Sequence, residues 1–180
     1  VRRRERAIRV DPLVFGGGQE RGMRSGTLDV PGIVGMATAA RLAGESWPGE
    51  AATLREMRDR LWRLLADRVP GIAVNGPALD DPAGRLVNNL NVRIPGVDGQ
   101  SLLATLAAAG IAASSGSACS SESPRPSHVL QAIGLSEDDA RASLRFGLSR
   151  FTTRDEIDSA ADAIAAGVAR LRGITAPGRG

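Results

Sequence analysis

Apolar residues recur along this chain in two rhythms, and no fold built from one kind of element can use both. Ile157, Ala161, Ile164, Val168 and Leu171 step 4, 3, 4, 3, which puts them on one face of a helix, and Leu54, Met57, Leu61, Leu64 and Leu65 keep the same spacing. Leu86, Leu90, Val92 and Ile94 fall instead on even offsets, as do Leu144, Phe146 and Leu148, and even offsets describe one side of a strand. Short strands packed under amphipathic helices are therefore expected: an α/β class chain, arranged as α+β or two-layer α/β over most of its length.

Composition narrows what fills the core and what the surface can bind. Of 180 residues, 42% are hydrophobic, enough to bury a core, but only 3% are aromatic and Tyr is absent, so packing rests on Leu, Val, Ile and Ala. Stacking platforms for single-stranded nucleic acid are scarce. All 23 basic residues are Arg, which makes a sequence pI of 10.7 compatible with a net charge of only +3 and calls for no direct nucleic-acid partner. Without lysine, this chain cannot carry Schiff-base chemistry on a lysine of its own. One Cys allows no internal disulfide, and neither Cys nor His clusters beside it, so no metal site is expected. No apolar run is long enough to span a membrane, and the sequence reads as that of a cytoplasmic protein. It starts without Met, which suggests a piece of something longer.

Residues 1–28 read as extended segments broken by turns at Asp11-Pro12, Gly16-Gly17-Gly18, Gly22 and Gly26. A helix is expected from Asp29 as cap, with Pro31 in its first turn and Ile33, Val34, Met36, Ala37, Ala40 and Leu42 as an apolar face, fading near Ser46-Trp47-Pro48-Gly49. A second is expected from about Glu50 to Pro70-Gly71, with Arg55, Arg58, Asp59, Arg63 and Asp67 mainly on its wet side. Further on, the signals predict a strand from Ile72 to Asn75, a helix from Asp98 to Gly110, a strand over Ile111 to Ala113 and a Ser/Gly/Pro-rich loop over 114–126. Short helices follow, one ending at Gly134 and one starting at Ser136 with Asp139, then the Leu144 strand. Thr153 with Glu156 makes a capping box for the closing helix.

Cys119 is the leading candidate for chemistry, because small polar neighbours on both sides favour a thiol open to solvent over the small buried apolar residue that a lone Cys otherwise is. His128 opens a short helix and is better read as a surface or capping residue than as its base. Arg145 stands alone on the polar side of its strand, where a guanidinium can hold a carboxylate bidentately or pair with an Asp or Glu of the next element. Gly16 to Thr27 could cradle an anion with backbone N–H groups and Thr27 or be a tight surface loop, and it matches no P-loop. Arg2-Arg3-Arg4 and Arg6 read as a solvated edge.

Three stretches together resemble one family. Gly17-Gly18-Gln19-Glu20-Arg21-Gly22-Met23-Arg24-Ser25-Gly26-Thr27, Ser114-Ser115-Gly116-Ser117-Ala118-Cys119 and Leu144-Arg145-Phe146-Gly147-Leu148-Ser149-Arg150-Phe151-Thr152-Thr153 are similar, in this order, to segments of the pyridoxal-phosphate-dependent cysteine desulfurases of the class V aminotransferase group. Gln19 replaces a frequent His and Gly147 a frequent Ser. The resemblance implies the C-terminal portion of a fold-type I enzyme, with 1–28 the end of the large cofactor-binding domain and 29–180 the connecting helix and C-terminal small domain. It implies that Cys119 takes sulfur from L-cysteine as a persulfide and leaves alanine, that Arg145 binds the substrate carboxylate, and that Thr27 reaches the cofactor phosphate of the other subunit in a homodimer. The sulfur would pass to an iron–sulfur scaffold or a tRNA-thiolating protein. The cofactor lysine is not in this chain, which should not turn over cysteine alone. A selenocysteine lyase, another class V transferase and a non-catalytic partner-docking domain are the other readings.

Overall fold

A computed structural model describes residues 2, 3, 6, 7, 10–115 and 126–175. They fall into two compact units, residues 1–46 and 47–180.

In the first unit, β1 (Arg2–Arg3) and β2 (Arg6–Ala7) pair antiparallel, with Arg3 opposite Arg6. The glycine-rich stretch folds around Ser25, which is 3% exposed. Its N–H donates to the Val14 carbonyl at 3.1 Å and its Oγ accepts from the Gly18 N–H at 3.3 Å. A 3-10 turn at Glu20–Gly22 holds Glu20 and Arg21 at φ of 52° and 57°, an uncommon conformation for side-chain-bearing residues. Asp29 caps the following helix as expected, its Oδ1 accepting from the Gly32 N–H at 3.1 Å.

That helix, α1 (Val30–Arg68), does not stop at Ser46–Gly49, and the two helices expected from sequence are one. A proline inside a helix forfeits one hydrogen bond and costs about 3 kcal/mol. The turns beyond Pro48 are held all the same, because Leu54, Leu61 and Leu65 are locked into the core. Ser46 Oγ donates to the Leu42 carbonyl at 3.0 Å, just before the interruption. Upstream, the expected apolar face of Ile33, Val34, Met36 and Leu42 is exposed.

The second unit is a four-stranded antiparallel sheet under helices. β3 (Ala73–Val74), β4 (Asn89–Arg93), β5 (Ser114–Ser115) and β6 (Ser143–Gly147) lie in the order β3-β4-β6-β5. The third strand falls just past the Ile111–Ala113 expected for it, because Ser114 and Ser115 are the residues that meet Arg145 and Leu144. Leu90, Val92, Leu144 and Phe146 face one way and bury a single core with α1, with α2 (Gly99–Ala108) and with α5 (Arg154–Thr175). Leu86, expected beside them, is 67% exposed because it precedes the strand. The same alternation sends Asn89, Asn91, Arg93, Arg145 and Ser114 to the opposite face.

Caps set the helix starts. Asp98 Oδ1 accepts from the Ser101 N–H, Ser127 Oγ from the Leu130 N–H at the start of α3 (His128–Ala132), and Ser136 Oγ from the Asp139 N–H at the start of α4 (Glu137–Arg141). The capping box forms in both directions, Thr153 N–H to Glu156 Oε2 at 2.7 Å and Glu156 N–H to Thr153 Oγ1 at 3.2 Å. Between α1 and α5, with Arg150 just ahead of α5, runs a ladder of ion pairs whose sign reverses midway. Glu50 and Glu56 of α1 meet Arg150 and Arg154, whereas Arg60 and Arg68 meet Asp158 and Asp162.

Candidate functional site

Arg145 occupies the middle of β6, between Asn91 of β4 and Ser114 of β5. Its neighbours Leu144 and Phe146 are buried under the helices, so its side chain emerges on the polar face. There it borders a cavity of about 330 Å³, together with Arg85, Asn89, Asn91, Ser127 and Leu130. No Asp or Glu lines this cavity among the described residues. The Arg145 guanidinium has neither an ion pair nor a hydrogen bond among the described residues, whereas that of Arg93 on the same face lies 4.0 Å from Asp139.

The second guanidinium at the cavity, Arg85, is held by backbone. Its Nε donates to the Pro77 carbonyl at 3.0 Å, and its Nη2 donates to the carbonyls of Asn75 and Pro77. Burial, and secondarily the charge of Arg58, hold its pKa below the usual guanidinium value. Arg58, expected on the wet side of its helix, is only 1% exposed. It was drawn inward by two acceptors that spacing cannot show: its Nη2 donates to Asp59 Oδ1 and to the Leu79 carbonyl, each at 2.7 Å. Arg58 and Arg85 thus pin the loop that walls one side of the cavity.

The serine-rich stretch begins and ends at this same face. It leaves from β5, where Ser114 is the cross-strand partner of Arg145 and Ser115 Oγ accepts from Gln100 Nε2 of α2 at 3.0 Å. It returns at Ser127, which is 4% exposed and lines the cavity. Cys119 and the rest of 116–125 lie outside the described residues. His128 is exposed at the head of α3, as a surface residue should be.

In the other unit, Thr27 is exposed and its carbonyl accepts from Arg24 Nη1 at 2.9 Å, but its hydroxyl has no hydrogen bond among the described residues. The backbone cradle expected around it is largely spent on itself. The N–H groups of Gly18, Gly22, Met23 and Gly26 have acceptors inside the loop and that of Ser25 has the Val14 carbonyl just before it, Gly26 using Gln19 Oε1 at 2.9 Å. A phosphate here would be met by a hydroxyl rather than by a nest of amides.

The sequence reading missed Asn75, Asn91 and Arg85. Part of the signal was present: if Leu90 and Val92 face the core, Asn89, Asn91 and Arg93 must face away beside Arg145. Nothing local announces that Asn75 and Arg85 join them.

A match to the aminotransferase class V family model runs from residue 7 to residue 159, through the glycine-rich loop, the cavity and both ends of the serine-rich stretch. The chain belongs to that family, a family of pyridoxal-phosphate enzymes. Within it, the chain is 47% identical over 175 residues to the cysteine desulfurase IscS of Edwardsiella ictaluri and 43% identical over 172 residues to that of Ehrlichia chaffeensis. These alignments take in 97% and 96% of this chain but 41% and 40% of the relatives, so the chain spans about two fifths of the curated relatives it matches. A solved NifS-like protein shares the fold, with a TM-score of 0.73 and 31% identity over 92% of this chain and 41% of that one.

Proposed function

We propose that this chain supplies the sulfur-accepting and carboxylate-binding part of a cysteine desulfurase. The observation that carries the reading is Arg145: a guanidinium without a carboxylate partner among the described residues, on a cavity with no acidic lining, opposite the residue from which the Cys119 stretch departs. A partnerless guanidinium in such a place is matched by a ligand's carboxylate. Cys119 lies four residues beyond Ser115, so the covalent chain keeps it within about 14 Å of the strand pair that carries Arg145.

Arg145 holds the carboxylate of L-cysteine and thereby sets where its side chain lies. The Cys119 thiolate attacks the substrate sulfur, and the new S–S bond forms as the substrate's C–S bond breaks. The electron pair of that bond stays with carbon, which takes up a proton and leaves as alanine. Pyridoxal phosphate, when bound, supplies the electron-withdrawing ring that lets the C–S bond break. Thr27, with its unbonded hydroxyl, fits one contact to the cofactor phosphate, across a homodimer. The lysine that would bind the cofactor covalently belongs to another part of the protein. In this proposal residues 1–28 end a large cofactor domain, and 29–180 form the connecting helix and small domain. The protein works in the cytoplasm, and its persulfide passes to an iron–sulfur scaffold or a tRNA-thiolating protein. No helix among the described residues is long and apolar enough to cross a membrane. A selenocysteine lyase is less favoured, because the relatives at 43–47% identity carry the cysteine desulfurase name.

The test uses the complete protein with its cofactor. Cys119→Ser should leave the cofactor spectrum intact and abolish the protein-bound persulfide formed from L-cysteine, read by mass spectrometry. Persulfide at the wild-type level in that variant would remove Cys119 from the mechanism.

A further inference from the structure

On the polar face of the sheet runs a chain of hydrogen bonds whose direction is forced from one end. The Arg93 guanidinium has only donors. The Asn75 atom it meets, 3.2 Å from Nη1, is therefore the carbonyl Oδ1. Asn75 Nδ2 must then be the donor to Asn91 Oδ1 at 2.6 Å and to Ser143 Oγ at 2.9 Å, and Ser143 passes its own proton to the Asp139 carbonyl at 2.6 Å. Asn75 is 3% exposed, so turning its amide over would set N–H against N–H in a buried place. With Oδ1 engaged, Asn91 has its Nδ2 left, and nothing among the described residues accepts from it. That side chain borders the cavity, and its residue is the cross-strand partner of Arg145. Asn89 borders the same cavity, but no hydrogen bond fixes its amide.

We infer that Asn91 is a second contact for the carboxylate held by Arg145, and that Asn75 is the residue that positions it. The inference rests on the reading of Arg145 given above. A carboxylate offers about four acceptor sites, and a guanidinium fork fills two of them. Directly paired strand residues keep their Cβ atoms about 5 Å apart, which lets the Asn91 amide and the Arg145 fork reach one anion. A neutral donor adds a hydrogen bond without adding charge beside Arg85. The ligand class is a compact α-amino acid with a free carboxylate, the size that about 330 Å³ admits.

The test is binding to the complete protein, ¹⁵N-labelled at asparagine and arginine and followed by NMR, with S-methyl-L-cysteine as probe and its methyl ester as the control that lacks the anion. The Asn91 side-chain amide and the Arg145 Nε–H should shift together with the acid and stay in place with the ester. Asn91→Leu should weaken binding about tenfold or more, the size of a hydrogen bond to a charged group. Asn75→Ala should weaken it by less and displace the Asn91 amide resonances even without ligand. A shift at Arg145 alone, with unchanged affinity in Asn91→Leu, would overturn the role of Asn91 and leave that of Arg145 standing. No carboxylate-dependent shift at either residue would overturn both. Should the leucine variant fail to fold, the wild-type amide shift decides.

Discussion

Two arginines on one sheet face, Arg93 and Arg145, differ in whether the protein has already answered their charge. Arg93 has Asn75 and, at 4.0 Å, Asp139; Arg145 has no such partner among the described residues. Replacing Arg145 with Lys keeps the charge and loses the planar fork. On the function proposed above, the apparent KM of the complete protein for L-cysteine should rise tenfold or more, a loss of about 1.4 kcal/mol, and steady-state kinetics of Arg145→Lys measures it. Unchanged kinetics would return Arg145 to a structural role. Asp158 makes the opposite case, a charge fully answered, with Arg60 Nε and Nη2 donating to its two oxygens at 2.7 and 2.6 Å. The hydrogen bond from Arg60 holds its pKa below the ordinary 3.8. A carboxyl depressed in the folded state binds more protons unfolded, so its stabilisation is present above 3.8 and fades as acid takes the pH down through the folded value. Thermal melts from pH 5 downward should fall less steeply for Asp158→Asn than for wild type. At this scale the sequence revealed what is local: Arg145 stands on the polar side of its strand, as the apolar alternation of Leu144, Phe146 and Leu148 requires. It hid Arg58 and Arg85, whose partners are carbonyl oxygens of a distant loop that no side-chain pattern encodes.

Elements were legible where their signals are short-ranged. The caps at Asp98 and Ser136 and the box at Thr153 formed as the sequence spelled them, because each needs a side chain to reach only three residues ahead. Pro48 misled for the complementary reason: its local penalty is real, but the packing of Leu54, Leu61 and Leu65 outweighs it. One glycine shows how closely elements approach. A Cβ on Gly99, at the start of α2, would stand 2.4 Å from the Arg141 carbonyl and 3.3 Å from that of Ser143, backbone atoms at the join of α4 and β6 that have no room to retreat. Gly99→Ala should therefore destabilise the protein by about 1 to 3 kcal/mol despite the better helix propensity of alanine. Urea unfolding measures it, and an unchanged midpoint would mean that α2 shifts freely on the sheet.

At the scale of the whole chain, what is missing is as informative as what is present. With no lysine among 180 residues, an imine to pyridoxal phosphate can form only at the N-terminus. Borohydride reduction of this chain with the cofactor, followed by peptide mapping, should find no internal pyridoxyl adduct. The segments that resemble a cysteine desulfurase were readable because three motifs occur in order. The cavity behind them was not, because it is assembled by sheet register across residues 75 to 145.

The ladder joining α1 and α5 has a further consequence. All its cations are guanidinium groups, and the chain has neither Lys nor Tyr. Between about pH 8.5 and 11, only Cys119 and the chain's own α-amino group have ordinary pKa values near enough to exchange protons. Stability changes with pH only where the folded and unfolded states differ in bound protons. Alkali therefore has almost no handle on this fold: raising the pH across that span should leave the melting temperature nearly level.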